Sequence, residues 1–218
     1  MSVLTIDVVS DVICPWCYLG KRRLEQALAL VPEIKTQLRW HPFMLDPTIP
    51  AQGVDRAEYM RAKFDDEDSL QQIHLHLKAA GAESGLDYQF DKITRTPNTM
   101  DAHRLIRWAG EADLQDEMVE ELFRRYWIDG EDIGNHGILT MAAIAVGMDG
   151  DATHARLHHD DGIAEVREEV EMAQKIGVTG VPTYIIAGQY GISGAQDPAE
   201  LARAMREIFE KAESQTAK

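Results

Sequence analysis

Residues 10 to 20 read Ser10-Asp11-Val12-Ile13-Cys14-Pro15-Trp16-Cys17-Tyr18-Leu19-Gly20, and they hold both cysteines of the 218-residue chain. Two residues separate the sulfurs, so three chemistries compete for the pair: a structural disulfide, half of a metal site, or a redox dithiol. Before the pair runs Val3-Leu-Thr-Ile-Asp-Val-Val9, a short β-branched stretch of strand type. After it, Leu19, Leu24, Leu28 and Val31 recur at helical spacing with Lys21, Arg22, Arg23 and Glu25 between them. That amphipathic pattern stops near Pro32. The cysteines therefore stand at a strand-to-helix junction.

A structural zinc ion needs about four ligands, commonly two cysteine or histidine pairs. The chain offers one CxxC, and no pattern places His74 and His76, or His154, His158 and His159, beside it. No metal is expected. The N-terminus lacks a basic segment followed by a long apolar one, and no run approaches the ~18 apolar residues of a membrane span. A cytoplasmic location is expected, where structural disulfides are rare. Two small buried hydrophobes are the bland alternative. The redox reading has a mechanism of its own. A cysteine at the first turn of a helix sits among unpaired N–H groups at the positive end of the macrodipole. Both favour the thiolate, which is the nucleophile. Cys14 holds that position, and Cys17, one turn further in, can attack a mixed disulfide. Pro15 costs nothing where an N–H has no helical partner, and Trp16 falls on the rim.

Further out, Leu38-Arg-Trp-His-Pro-Phe43 reads as a second strand ending in a turn rich in proline (Pro42, Pro47, Pro50). From about residue 50 to 176 helical stripes dominate. Leu114, Met118, Leu122 and Tyr126 step by four beside Val119, Phe123 and Trp127; Ile138, Leu139, Ala142, Ala143 and Val146 form another stripe. With 99–109 and 161–175, this predicts five to seven helices. Strand character returns at Pro182–Ala187, turns at Gly188-Gln189 and runs back through Tyr190–Ser193. Asp197-Pro-Ala-Glu200 then caps a last helix through Leu201, Met205, Ile208 and Phe209. The order β-α-β … β-β-α predicts an α/β sheet layered with helices and interrupted by one large insertion.

A second element accompanies the cysteines: Gly177-Val-Thr-Gly-Val-Pro182-Thr, just before a strand. Pro182 is either an ordinary trans proline opening the strand, which periodicity favours, or a cis residue facing the thiols. The cis form would leave the Val181 backbone free to pair with an extended substrate. The net charge of −15 argues against nucleic-acid or anionic-membrane partners. Asn98 and Thr99 read as helix caps, with Asn98, Asp101 and His103 as the functional alternative if they face a cleft. Asp11 is a candidate cap of the active-site helix, although a carboxylate so near would oppose the helix effect on the thiol. His41 and both histidine clusters read as packing or solvated residues, and the acidic run from Asp160 to Glu171 as an exposed helix face.

Strand–CPWC–helix, the late Gly-Val-Pro-Thr and the helical block between them resemble the thioredoxin fold in its DsbA form. More closely, "SDVICPWCYLGKRRLE", "TPNTMDAHRLIRWA" and "GVTGVPTYIIAGQYGISGAQ" resemble the cytoplasmic FrnE-like DsbA family across nearly the whole chain. The resemblance implies a thioredoxin-like unit from 1–48 and 178–218, and an all-helical insertion, 49–177, roofing the site between the second strand and the cis-Pro strand. It implies a cis Val181–Pro182 bond, Cys14 as attacking thiol and Cys17 as resolving thiol. Pro15, Trp16, Val181 and Pro182 would then meet a thiol- or disulfide-containing protein or small molecule. Kappa-class glutathione transferases and 2-hydroxychromene-2-carboxylate isomerases share the superfamily, but typically carry serine where Cys14 stands and lack the second cysteine. Their glutathione docks near the segment matching Ser193-Gly-Ala-Gln196. Glutathione is therefore the one small cofactor to consider beside the redox disulfide itself, and Ser193 joins the cleft candidates. A complete CxxC points to thiol–disulfide oxidoreduction, with glutathione-dependent isomerisation or transfer as the alternative. Dimers are common among the relatives, so a homodimer is expected.

Overall fold

The computed structural model describes residues 3–64 and 66–216. In chain order its strands are β1 (Leu4–Ser10), β2 (Thr36–Pro42), β3 (Val54–Asp55), β4 (Arg95–Thr96), β5 (Thr183–Ile186) and β6 (Tyr190–Ser193). Its helices are α1 (Pro15–Leu30), α2 (Arg56–Lys63), α3 (Glu67–Glu83), α4 (Met100–Gly110), α5 (Gln115–Arg124), α6 (His136–Ala145), α7 (Gly150–Leu157), α8 (Ile163–Lys175) and α9 (Pro198–Thr216).

The β-branched run Leu4–Ser10 becomes a central strand because it can bury both faces; Ile6, Val8 and Val9 are all enclosed. It pairs in parallel with β2, Leu4 opposite Thr36 through Ser10 opposite Pro42, and antiparallel with β5, Val9 opposite Thr183. The sheet order is β2-β1-β5-β6. The β5–β6 turn is centred on Ala187 and Gly188, one residue earlier than its sequence indicates. Three residues separate the paired Ile186 and Tyr190, and Ala187 and Gly188 adopt positive φ, 53° and 67°, which turns the chain with the strand twist. Helices α1 and α9 pack together, while α8 and α5 meet β2.

Seven helices lie between β2 and β5 among the described residues, at the upper end of the predicted number. The segment is not wholly helical, because β3 and β4 form a two-residue antiparallel ladder, Val54 opposite Thr96. The predicted stripe over Leu114–Trp127 is α5 followed by a π turn, Arg125–Asp129, ending at Gly130 with φ 76°. One extra residue in that turn lets Tyr126 and Trp127, adjacent in sequence, both reach the core. Lys21 ties α1 to α5. It is 3% exposed, with Glu25 at 2.5 Å and Asp116 at 3.1 Å, and Asp116 also accepts from the Trp40 indole at 3.0 Å. No described helix is long and apolar enough to cross a membrane.

Candidate active site

The loop from Ser10 to Cys14 leaves the C-terminal end of the central strand, and α1 starts at once. Cys14 is the N-cap residue of α1, extended at φ −93°, ψ 113°, with Pro15 at the first helical position. Pro15 leaves no wasted N–H there, and the N–H groups of Cys17 and Tyr18 fold back onto the Cys14 carbonyl. The Cys14 sulfur thus stands at the N-terminus of a 16-residue helix, where the backbone dipoles stabilise negative charge.

Across from it the Val181–Pro182 bond is cis, as the resemblance implies and against the reading from periodicity alone. The Cys14 thiol donates to the Val181 carbonyl at 3.7 Å. Pro182 and Tyr184 come so close to α1 that only glycine fits at position 20. Ser193 pairs opposite Thr183 in the hairpin, their hydroxyls 3.3 Å apart, and the Gly194 N–H donates to the Pro182 carbonyl at 2.7 Å. The hairpin therefore does bring Ser193 beside the cis-proline loop. Gln196 folds back to donate to the Ser193 carbonyl at 2.6 Å.

The two cysteines are both free thiols, and both are buried. Cys17 is 1% exposed and Cys14 4%. Burial pushes the Cys17 thiol well above its ordinary value, the neighbouring Cys14 adds to the effect, and the Ser10 hydroxyl and Asp11 N–H oppose it. Cys17 is held protonated behind Cys14. Above the pair lies the expected roof. Trp16 meets the His76 ring from α3 at 5.6 Å, the Tyr88 hydroxyl donates to the Pro15 carbonyl at 2.6 Å, and the Trp127 indole donates to the Val12 carbonyl at 3.0 Å.

Two candidates fall elsewhere. Asp11 neither caps α1 nor opens into a cleft. It is fully buried, its carboxylate accepting from the Leu45 N–H at 2.8 Å and standing 3.4 Å from the His103 ring, so it ties the loop to the chain after β2. The short Ser10–Cys14 loop turns its side chain inward, away from the first helical N–H groups. Asn98 accepts from the Met100 N–H at 3.0 Å and donates to the Ile49 carbonyl at 2.6 Å. Both ends of its amide are spent on starting α4 and anchoring a loop, which is the cap reading. His103 is enclosed, donating to the Phe43 carbonyl at 3.0 Å. Asp101 holds Arg104 at 2.7 Å and His136 at 2.8 Å. His41, on β2, bonds Asp7 of the neighbouring β1 at 2.8 Å.

Sequence reasoning missed Ser10, Gly20, Tyr88, Trp127 and Tyr184, all of which touch the redox loop or its proline. Ser10 and Gly20 bound the cysteine motif and Tyr184 follows the proline two residues on, but nothing in a linear pattern marks Tyr88 or Trp127 as their neighbours.

A family model described as a DSBA-like thioredoxin domain matches residues 5–206. The uncharacterized protein YwbO of Bacillus subtilis is 29% identical over 211 residues, covering 95% of this chain and 94% of that one. The crystal structure of a probable DsbA oxidoreductase from Streptomyces coelicolor superposes with a TM-score of 0.89 at 28% identity, covering 95% of this chain and 90% of that chain. A 2-hydroxychromene-2-carboxylate isomerase shares the fold, with a TM-score of 0.73 at 17% identity over 97% of this chain and 98% of its own.

Proposed function

The chain belongs to the DSBA-like thioredoxin domain family, and from that premise we propose that Cys14 and Cys17 carry out thiol–disulfide exchange. One observation carries the reading: the sulfur of Cys14, the N-cap residue of α1, lies 3.7 Å from the carbonyl of the cis-proline loop, with a protonated Cys17 held behind it. The Cys14 thiolate attacks one sulfur of a substrate disulfide, the S–S bond breaks and one substrate thiolate leaves. Cys17 then loses its proton and attacks the Cys14 sulfur, releasing the second thiolate. The substrate gains two electrons and the pair becomes a disulfide, which an external dithiol must reduce again. Val181 offers backbone groups to the substrate, and Pro15 and Trp16 offer apolar surface beside the sulfur. Isomerisation with glutathione needs one sulfur only. A second thiol stored in protonated form against Cys14 supports dithiol chemistry over that alternative. Within the finer family, the CPWC motif and the match through both flanks support the FrnE-like type and a cytoplasmic setting.

The reading is tested by reduction of bis(2-hydroxyethyl) disulfide with dithiothreitol as electron donor. Wild type turns over; Cys14→Ser falls to the uncatalysed rate; Cys17→Ala accumulates a mixed disulfide on Cys14, visible as an added mass on the intact protein. Turnover by Cys14→Ser at the wild-type rate overturns the assignment. Glutathione-dependent activity undiminished in Cys17→Ala would instead favour the isomerase or transferase reading.

A further inference from the structure

A pocket of about 570 Å³ opens between α2, α3 and the 3-10 turn at Phe90–Lys92, its wall including Arg56, Arg61, Asp68, Gln71 and His74. Arg56 is 9% exposed. One of its Nη atoms donates to the Tyr126 hydroxyl at 3.1 Å, and the guanidinium lies 5.5 Å from the Trp127 ring. Among the described residues no carboxylate is within ion-pair distance of it. The other buried cations do not share this state. Lys21 has Glu25, Arg104 has Asp101, and Arg125 has Glu121. A buried charge without a counter-ion is strongly disfavoured, and two aromatic rings offset only part of that.

The rest of the pocket sets the charge its occupant must bring. Arg61 adds a second guanidinium and Asp68 cancels one. Asp91 is almost wholly exposed and leans to Lys78 at 4.0 Å. His74, stacked on Phe90 with ring centroids 4.1 Å apart, is held below its ordinary value by burial and by Arg56 and Lys78, and is neutral. Among the described residues, one negative charge completes the balance. A planar guanidinium donates two parallel hydrogen bonds to a carboxylate.

We infer that this pocket binds a small acid through one carboxylate seated on Arg56, with Arg61 assisting at the wall. One aromatic layer separates it from the redox loop: Trp127 touches Arg56 on one side and donates to the Val12 carbonyl on the other. On α3, His74 faces the pocket while His76, two residues on, meets Trp16. The occupant is either the acidic end of a thiol whose sulfur works at Cys14 or a separate acid.

The full-length reduced protein is titrated with propionate, with neutral propionamide and with inorganic phosphate, following the His74 imidazole signal by NMR. Propionate should give a saturable shift and propionamide none. Arg56→Gln should weaken propionate by about 10-fold or more, the cost of losing a charge-assisted hydrogen bond, and Arg56→Lys, which keeps the charge but not the fork, should recover only part of it. No saturable shift, an equal response to propionamide, phosphate binding tighter than propionate, or unchanged affinity in Arg56→Gln each overturns the inference. The wild-type comparison decides even if Arg56→Gln does not fold. Tighter binding of 3-mercaptopropionate than propionate assigns the seat to a thiol ligand, and equal binding assigns it to a separate acid.

Discussion

A methyl group at Gly20 has nowhere to go. Its carbon would lie 2.5 Å from the Tyr184 hydroxyl oxygen and 2.8 Å from Pro182 Cγ, and both of those side chains are buried. On helix propensity alone, alanine in place of a mid-helix glycine gains about 1 kcal/mol. Overpacking against two enclosed side chains costs about 1–3 kcal/mol. The clash offsets that gain or exceeds it, so Gly20→Ala should lower the urea-unfolding free energy by up to about 2 kcal/mol; a variant about 1 kcal/mol more stable than wild type, the propensity gain alone, would show that α1 and the proline loop are not in this contact. The cysteines themselves were readable from spacing and position. Asp11 was not, because a residue three places from a helix start can cap it or turn inward, and the loop's path decides which.

At the scale of elements, α1 is held to the helices behind it by a buried lysine among carboxylates. Removing one partner of a fully buried pair costs about 3–5 kcal/mol, but Asp116 and Glu120 keep 45% and 28% of their side-chain surface, and Arg22 also reaches Glu120. Lys21→Met is therefore expected to cost about 2 kcal/mol, read as a lower urea midpoint with an unchanged slope. An unshifted midpoint would mean solvent compensates the carboxylates. The strongly patterned elements, β1, α1, α4, α5, α8 and α9, were legible because their apolar stripes face one core. Helices α2, α3 and α7 were not resolved individually. They are short or largely exposed, and each is started by an aspartate cap: Asp55 accepts from the Glu58 N–H at 3.0 Å, Asp66 from Ser69 at 2.6 Å and Asp149 from Ala152 at 2.9 Å. A single capping oxygen leaves little trace in hydrophobic periodicity.

The whole molecule carries a formal charge of −15, with acids placed against the bases it does have. Burial alone would raise the Asp7 carboxyl, but Arg39 and His41 outweigh it and hold the group below its ordinary 3.8. Lys21 and Arg22 similarly lower Glu25, and Arg124 and Arg125 lower Glu121, from 4.5 against the same burial. These groups bind protons more weakly folded than unfolded. Their stabilisation is complete above the unfolded values and is lost as pH falls through the lowered ones. Urea midpoints should hold down to about pH 5 and decline steadily below about pH 4. A midpoint constant to pH 3 would show that the three pairs contribute nothing to folding.

By itself the sequence determined the order of strands and helices, the place of the insertion and the two sulfurs at a helix start. Each of these is a local pattern, fixed by neighbours within a turn or a strand pairing of the chain. Tertiary structure alone decided which distant groups surround the redox loop. Val181 meets Cys14 across 167 residues, Trp127 roofs it, and Arg56 lines a pocket with no carboxylate at ion-pair distance among the described residues. Which residues share a buried space depends on how helices pack, and packing is a property of the assembled layers that no single segment encodes.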